Sequence, residues 1–258
     1  MPFATRDGVR LYWKLEGAAA KPPLVLLNSI GTEMGMWDRA IPALLENFLL
    51  LRIDTRGHGA SDVAPGDHSL EVLARDVLAV MDAAGIARAN VAGVSLGGMI
   101  AMELALLAPE RLTGLALIGT TAALYSAMWS DRMAKVRAEG MGAIADTVMT
   151  RFLTPEFIAE RPEYAETIHR TVLSTPAEGY AGCGAAIRDM DLLDRLPGIS
   201  TPTVVIVGDR DVSTPLAGNG ETLLEKIPGA ELEQVGGPHI TPMEDPDGVA
   251  AALARHFA

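Results

Sequence analysis

Residues 90–99 read Asn90-Val91-Ala92-Gly93-Val94-Ser95-Leu96-Gly97-Gly98-Met99, an apolar run that passes through Gly-x-Ser-x-Gly into a segment of helical spacing. A strand entering such a turn presents its serine on a strained strand-to-helix junction, with the hydroxyl pushed out at the top of a sheet. Gly93 and Gly97 leave room for neighbouring backbone to approach that turn. A serine hydroxyl is a poor nucleophile alone, so the motif calls for a histidine base and a carboxylate that orients it. By itself the motif also fits a glycine-rich turn with no chemical role, and its surroundings decide between the two.

Those surroundings alternate strand and helix signals. Residues 23–28 and 48–53 are short apolar runs of the kind that form central parallel strands buried on both faces. Further strands are expected at 90–94, 112–118, 203–207 and 231–235, and residues 9–15 alternate as an edge strand would. Helical periodicity covers 69–84, with Ser69 as N-cap, then 96–108, ended near Pro109, and about 246–257. Strands alternating with helices across short loops give a doubly wound parallel sheet. Residues 121–195 break the rhythm: they hold no convincing strand and show helical periodicity around 128–137, 141–151 and 163–173. The expected organisation is a core of residues 1–120 and 196–258, with a helical lid, 121–195, inserted after the sixth strand.

The 258 residues suit one large α/β domain, or one with a sizeable insertion, and 49% hydrophobic residues fill its core. Basic residues number 21 against 33 acidic, a net charge of -12 that disfavours nucleic acid and anionic membranes. The single cysteine, Cys183, excludes an internal disulfide and fits a reducing compartment. Its neighbours, Gly182, Gly184 and Ala185, offer no Cys or His at metal spacing, so it reads as a small packing residue. Residues 1–17 lack a signal pattern, and no apolar run reaches the roughly 18 residues a membrane span needs. A soluble cytoplasmic protein is expected, with no metal, no cofactor and no nucleic-acid or membrane partner. Whether copies associate into a homo-oligomer is left open.

The partners of Ser95 follow it in the order acid, then histidine. His239, in Gly236-Gly237-Pro238-His239 just after the last apolar strand, is the favoured base, because a loop at the carboxyl end of a strand is where such sheets place function. His58, in a polar loop before the serine, is the main competitor, with loop structuring as its other reading. The acid should follow strand 203–207, where Asp209 and Asp211 compete; Asp211 lies deeper in the loop, and Asp209 equally suits a turn. Two backbone N–H groups should receive the oxyanion, one from Leu96 and one from the loop 28–32, where Ile30 is the candidate and Ser29 a weaker one. Loss of one such donor costs roughly 3 kcal/mol of barrier.

With these residues identified, the chain resembles the α/β-hydrolase superfamily over nearly its full length and, more narrowly, the 3-oxoadipate enol-lactonase family. The matching segments are 27–38 (LNSIGTEMGMWD), 52–61 (RIDTRGHGAS), 93–106 (GVSLGGMIAMELAL), 179–192 (GYAGCGAAIRDMDL) and 207–215 (VGDRDVSTP). The first and fourth discriminate: many relatives carry His-Gly where this chain has Asn28-Ser29, and the fourth segment is uncommon outside the lactonase group. The resemblance implies a mostly parallel eight-stranded sheet flanked by helices, a triad of Ser95, Asp211 and His239, oxyanion donors Ile30 and Leu96, and opening of a small lactone or ester, most narrowly 3-oxoadipate enol-lactone. The chain departs from its relatives at Pro238 and at Ile240 to Glu244, and around 122–132, all of which touch the pocket. A general carboxylesterase or lactonase, a cofactor-free haloperoxidase or perhydrolase, and a hydrolase-fold ligand receptor stay open beside it. A dehalogenase does not, since it would need an aspartate at 95.

An enol-lactone of this type carries a carboxylate, so the pocket should supply a cation, and arginine suits a bidentate clamp. The lid offers Arg132, Lys135, Arg137, Arg151, Arg161, Arg170 and Arg188. Arg132, close to Trp129, and Arg151 are favoured as substrate contacts. Trp129 reads equally as lid packing, Trp37 as core beneath the oxyanion loop, and the methionines of 128–149 as helix core more than pocket wall.

Overall fold

The computed structural model describes residues 3–124 and 126–258; Met1 and Pro2 of the expected core and Tyr125 of the expected lid lie outside the described residues. The strands are β1 (Phe3–Arg6), β2 (Val9–Glu16), β3 (Pro23–Leu27), β4 (Leu49–Ile53), β5 (Ala89–Val94), β6 (Leu112–Ile118), β7 (Thr203–Gly208) and β8 (Glu231–Val235). In chain order the helices are α1 (Ile41–Leu44), α2 (Leu70–Ala83), α3 (Leu96–Leu107), α4 (Ser126–Glu139), α5 (Ala145–Phe152), α6 (Pro155–Glu160), α7 (Pro162–Ser174), α8 (Ala177–Arg188), α9 (Glu221–Lys226), α10 (Thr241–Glu244) and α11 (Pro246–Phe257).

The sheet has eight strands in the order β1-β2-β4-β3-β5-β6-β7-β8. Every neighbouring pair from β4 to β8 is parallel, and β2 pairs antiparallel with both β1 and β4. Every residue of β4, β5 and β7 is buried, which is why their sequences run apolar without alternation. Residues 9–15 are therefore not the edge expected of them: β1 lies outside β2. The Asp7-Gly8 turn that makes this hairpin has positive φ at both residues, 51° and 78°. An Asp-Gly pair is the residue signature of such a turn, and its signal is present in the sequence. Burial alternates along β2 because one face packs inward, a pattern that does not distinguish an edge from its neighbour.

Ser69 caps α2, its side chain accepting from the Val72 N–H at 3.3 Å. α3 is buried from Leu96 to Ala105, as suits a helix with no polar face. Helices α4 to α8 all fall between β6 and β7. The two ends of this segment lie side by side, where Ala123 bridges Asp191 and the Leu192 N–H donates to Ala122 O at 2.9 Å.

Periodicity missed α6 and α8, and it overran α5. Gly140 at φ 78° starts a tight turn, and the α-helix begins only at Ala145. α8 is the more instructive case. Its glycines lower helix propensity, yet they let its backbone touch the loop after β4. A Cβ on Gly179 would lie 2.2 Å from Gly57 O. Tertiary contact overrides local preference here. Cys183 on the same helix is fully buried, its Sγ–H directed at Arg56 O at 3.4 Å, and burial pushes its thiol up to about 12. It packs as a small protonated side chain.

Candidate active site

Ser95 sits between β5 and α3 at φ 55°, ψ -115°; with Asp7 it is one of two non-glycine residues of positive φ among the described residues. A conformation of that kind costs about 1–3 kcal/mol and persists where its surroundings over-determine it. They do so here. The Ser95 N–H donates to Ile118 O at 2.9 Å, and its carbonyl accepts from the Gly98 N–H at 2.9 Å and from Thr120 Oγ1 at 2.8 Å. A Cβ on Gly93 would lie 2.1 Å from Gly97 O, which explains the glycine on that side of the serine. The Ser95 hydroxyl makes no hydrogen bond within the chain among the described residues, and Ser95 lines a cavity of about 80 Å³.

His239 lines the same cavity from the loop after β8. Its Nδ1–H donates to Asp211 Oδ2 at 3.0 Å, which leaves Nε2 as the acceptor. Asp211, on the loop after β7, is fully sealed: its Oδ1 accepts the backbone N–H groups of Ser213 and Thr214 at 2.7 and 3.0 Å, and its Oδ2 accepts Thr214 Oγ1–H at 2.9 Å. Burial works to raise the Asp211 carboxyl, but the His239 bond and charge and the two backbone donors outweigh it and hold the group below its ordinary value. Asp209 does not cap its own turn; its Oδ1 takes the Gly237 N–H at 2.9 Å and ties this loop to the one after β8.

His58 is excluded as base by its own partners. Its Nδ1–H donates to Arg56 O at 3.1 Å and its Nε2 accepts the Gly31 N–H at 3.0 Å, so both ring nitrogens are spent. Complete burial pushes it down to about 4. The same bond shapes the loop 28–32. Ser29 N–H points to Met36 Sδ at 3.4 Å and Gly31 N–H to His58, while the Ile30 N–H between them has no partner among the described residues. Neither has the N–H of Leu96, at the first turn of α3. Both expected oxyanion donors are thus open. Trp37 is buried beneath this loop, its Nε1–H donating to Asn28 Oδ1 at 3.1 Å, and Asn28 in turn donates to Ile53 O at 2.8 Å.

The opposite wall of the cavity comes from α4, α5 and α8. It includes Trp129, Arg132 and Arg151, so the three expected substrate contacts converge. The Arg132 guanidinium lies 5.1 Å from the Trp129 ring centroid and its Nη1–H donates to Tyr180 Oη at 3.4 Å. Neither Arg132 nor Arg151 forms an ion pair among the described residues, and no carboxylate lines the cavity. The other cations lie elsewhere: Arg137 pairs with Asp67 and Glu178, Arg170 with Glu166, and Arg188 with Asp67 and Asp189, while Lys135 and Arg161 stay off the cavity wall. Met128 lines the cavity, whereas Met133, Met141 and Met149 are buried. Sequence reasoning assigns nothing to Tyr180 or Ser213, which also line it. Among the described residues, Ser29 Oγ, Ser213 Oγ and Trp129 Nε1 in the cavity lining are buried without a partner, an uncommon state for polar atoms.

A family model described as alpha/beta hydrolase fold matches residues 22–246, and the chain belongs to the α/β-hydrolase family. Among its relatives is 3-oxoadipate enol-lactonase 2 of Acinetobacter baylyi, 36% identical over 96% of this chain and 93% of the other. Among solved structures, the enol-lactonase from Burkholderia xenovorans LB400 superposes with TM-score 0.96 at 35% identity, covering 99% of each chain. A hydrolase from Pseudomonas aeruginosa PA01 gives 0.94 at 40% identity, over 99% of this chain and 97% of the other. No helix among the described residues is long and apolar enough to cross a membrane.

Proposed function

We propose that this chain is a lactonase that opens 3-oxoadipate enol-lactone to 3-oxoadipate through an acyl-enzyme on Ser95. The observation that carries this reading is one small cavity in which a strained serine and a carboxylate-backed histidine face two arginines that have no acidic partner among the described residues. A carboxylated substrate supplies the missing counter-charge, and bidentate pairing with arginine is strong and directional. A cavity of about 80 Å³ suits a compact ring better than a long acyl chain. Residues 121–195 act as the lid of this pocket on a core of 1–120 and 196–258, and a cytoplasmic setting suits a lone buried thiol.

Ser95 Oγ attacks the ring carbonyl carbon and its proton passes to Nε2 of His239. The oxyanion is held by the N–H groups of Ile30 and Leu96. The ring C–O bond then breaks, and His239 returns the proton to the departing enol oxygen, which stays tethered to the acyl group. Tautomerisation of the enol to a ketone makes reclosure unfavourable. Water gives a proton to His239 and attacks the acyl carbon, releasing the carboxylate and restoring Ser95. Asp211 holds the imidazole tautomer and stabilises its cation.

The test compares kcat/KM for the enol-lactone with that for neutral short-chain esters on the purified chain. A preference of about a hundredfold or more for the lactone is expected. Equal or better turnover of the neutral esters would reject this substrate in favour of a general carboxylesterase.

A further inference from the structure

We propose that Glu244 is a positioning residue that locks the arginine-bearing wall of the cavity to the loop that carries His239. The proposal deepens the preceding reading and rests on it for the role of that wall. Glu244 ends α10, five residues after the base, and its side chain is 6% exposed. Its Oε1 accepts the Thr154 N–H and its Oε2 accepts Thr154 Oγ1–H at 2.9 Å. Thr154 is the N-cap of α6, and its Oγ1 accepts the Phe157 N–H at 3.2 Å.

A helix start normally closes this way within itself: an N-cap Ser or Thr bonds the N3 amide, and a Glu or Gln at N3 reaches back to the N-cap amide. At N3 this helix has Phe157, which has no such group. Glu244 supplies the missing carboxylate from across the molecule, 90 residues further along. The segment it holds runs directly from Arg151 and Phe152, both in the cavity wall.

Further contacts converge on the same joint. The His239 N–H donates to Arg151 O at 3.3 Å. Arg39 donates to Met243 O and its guanidinium stacks 5.2 Å from the Phe157 ring centroid and 5.9 Å from that of Tyr164. Arg210 Nη2 lies 3.5 Å from Glu244 Oε2. Behind Glu244, Asp245 takes the Gly236 N–H at 2.8 Å and the Gly248 N–H at 3.0 Å, so the loop that carries His239 is itself closed. With that loop rigid, the carboxylate of Glu244 transmits its position to the wall that meets the substrate.

The experiment measures kcat and KM of Glu244→Ala, Glu244→Gln, Thr154→Ala and the Glu244→Ala/Thr154→Ala double variant. The substrates are the enol-lactone, p-nitrophenyl acetate and p-nitrophenyl hemisuccinate, and melting temperatures are followed in parallel. The expected result is a KM about tenfold higher in Glu244→Ala, with kcat within threefold of the parent, and KM largely restored in Glu244→Gln, whose amide can still pair with Thr154. The double variant should fall short of the sum of the two singles, since both remove the bond between Thr154 Oγ1 and Glu244 Oε2, although Thr154→Ala also loses the cap on the Phe157 N–H. An unchanged KM, a loss confined to kcat, a Gln variant as poor as Ala, or strictly additive effects would each overturn the proposal. A parent that hydrolyses the p-nitrophenyl esters but not the enol-lactone would refute the proposed function, while the comparison among variants would still decide the role of Glu244.

Discussion

Two histidine loops lie at the carboxyl end of the sheet, one after β4 and one after β8, and their histidines are buried to almost the same degree: His58 is 1% exposed and His239 6%. Their partners differ. His58 meets backbone on both sides, a carbonyl at Nδ1 and an amide at Nε2, with no carboxylate among those contacts. His239 meets a sealed aspartate through Nδ1 and lines the cavity together with Ser95. Burial pushes the His58 ring down to about 4, which leaves it neutral. A carboxylate behind an imidazole stabilises its cation, which is what the base role proposed for His239 requires. The lesson is that partner chemistry, more than depth, separates a histidine that shapes a loop from one that reacts.

The contrast breaks most visibly at the nucleophile and base. Ser95→Ala and His239→Ala should each lower kcat by about 10⁴-fold or more while the melting temperature stays near that of the parent. His58→Ala should retain measurable turnover. A His58 variant as dead as the His239 variant, in an initial-rate assay of correctly folded protein, would erase the distinction.

Asp211→Asn tests the reason for the distinction. It preserves shape but can reverse the imidazole tautomer, and a loss of kcat on the order of 10⁴ is expected. A loss of tenfold or less would show that His239 does not depend on its carboxylate.

The cavity wall comes next. Arg132→Ala and Arg151→Ala should each raise KM for the enol-lactone by about ten- to a hundredfold, about 1.4 kcal/mol per tenfold, and leave neutral esters nearly untouched. Steady-state kinetics on both substrate types decides this, and equal effects on both would remove carboxylate recognition from these side chains.

A further consequence falls on stability and not on turnover. The folded-state pKa of His58 is depressed from its ordinary 6.5 to about 4, so the unfolded chain binds the extra proton first as pH falls. Its contribution is therefore fully present above about pH 6.5 and is lost on descent toward pH 4, on the order of 3 kcal/mol in all. His58→Asn should flatten that part of the stability curve in melts taken between pH 7 and 4. A parent and variant with parallel curves would contradict the assignment of a neutral, buried ring.

Much of this molecule is legible along the chain. The strands at 112–118 and 231–235 and the helix at 246–257 coincide with β6, β8 and α11. Glycines at α8 hide a helix because their reason for being there, contact with the loop at Gly57, involves backbone more than a hundred residues away. Of the seven cations between 132 and 188, sequence neighbours favour Arg132 and Arg151, and the structure places both on the cavity wall while pairing Arg137, Arg170 and Arg188 with Asp67, Glu166, Glu178 and Asp189.

Local order is written in short stretches. An apolar run buried on both faces, a serine between glycines and a Ser N-cap each depend on residues within a few positions, so the chain alone announces the parallel sheet and the strand-to-helix turn at Ser95. Convergence is another matter. Asp211 meets His239 across 28 positions, Glu244 meets Thr154 across 90, and His58 Nε2 meets the Gly31 N–H across 27. Such pairings exist only once the sheet has brought its loop ends together, because hydrogen bonds and charges act over a few ångströms whatever separates the residues along the polymer.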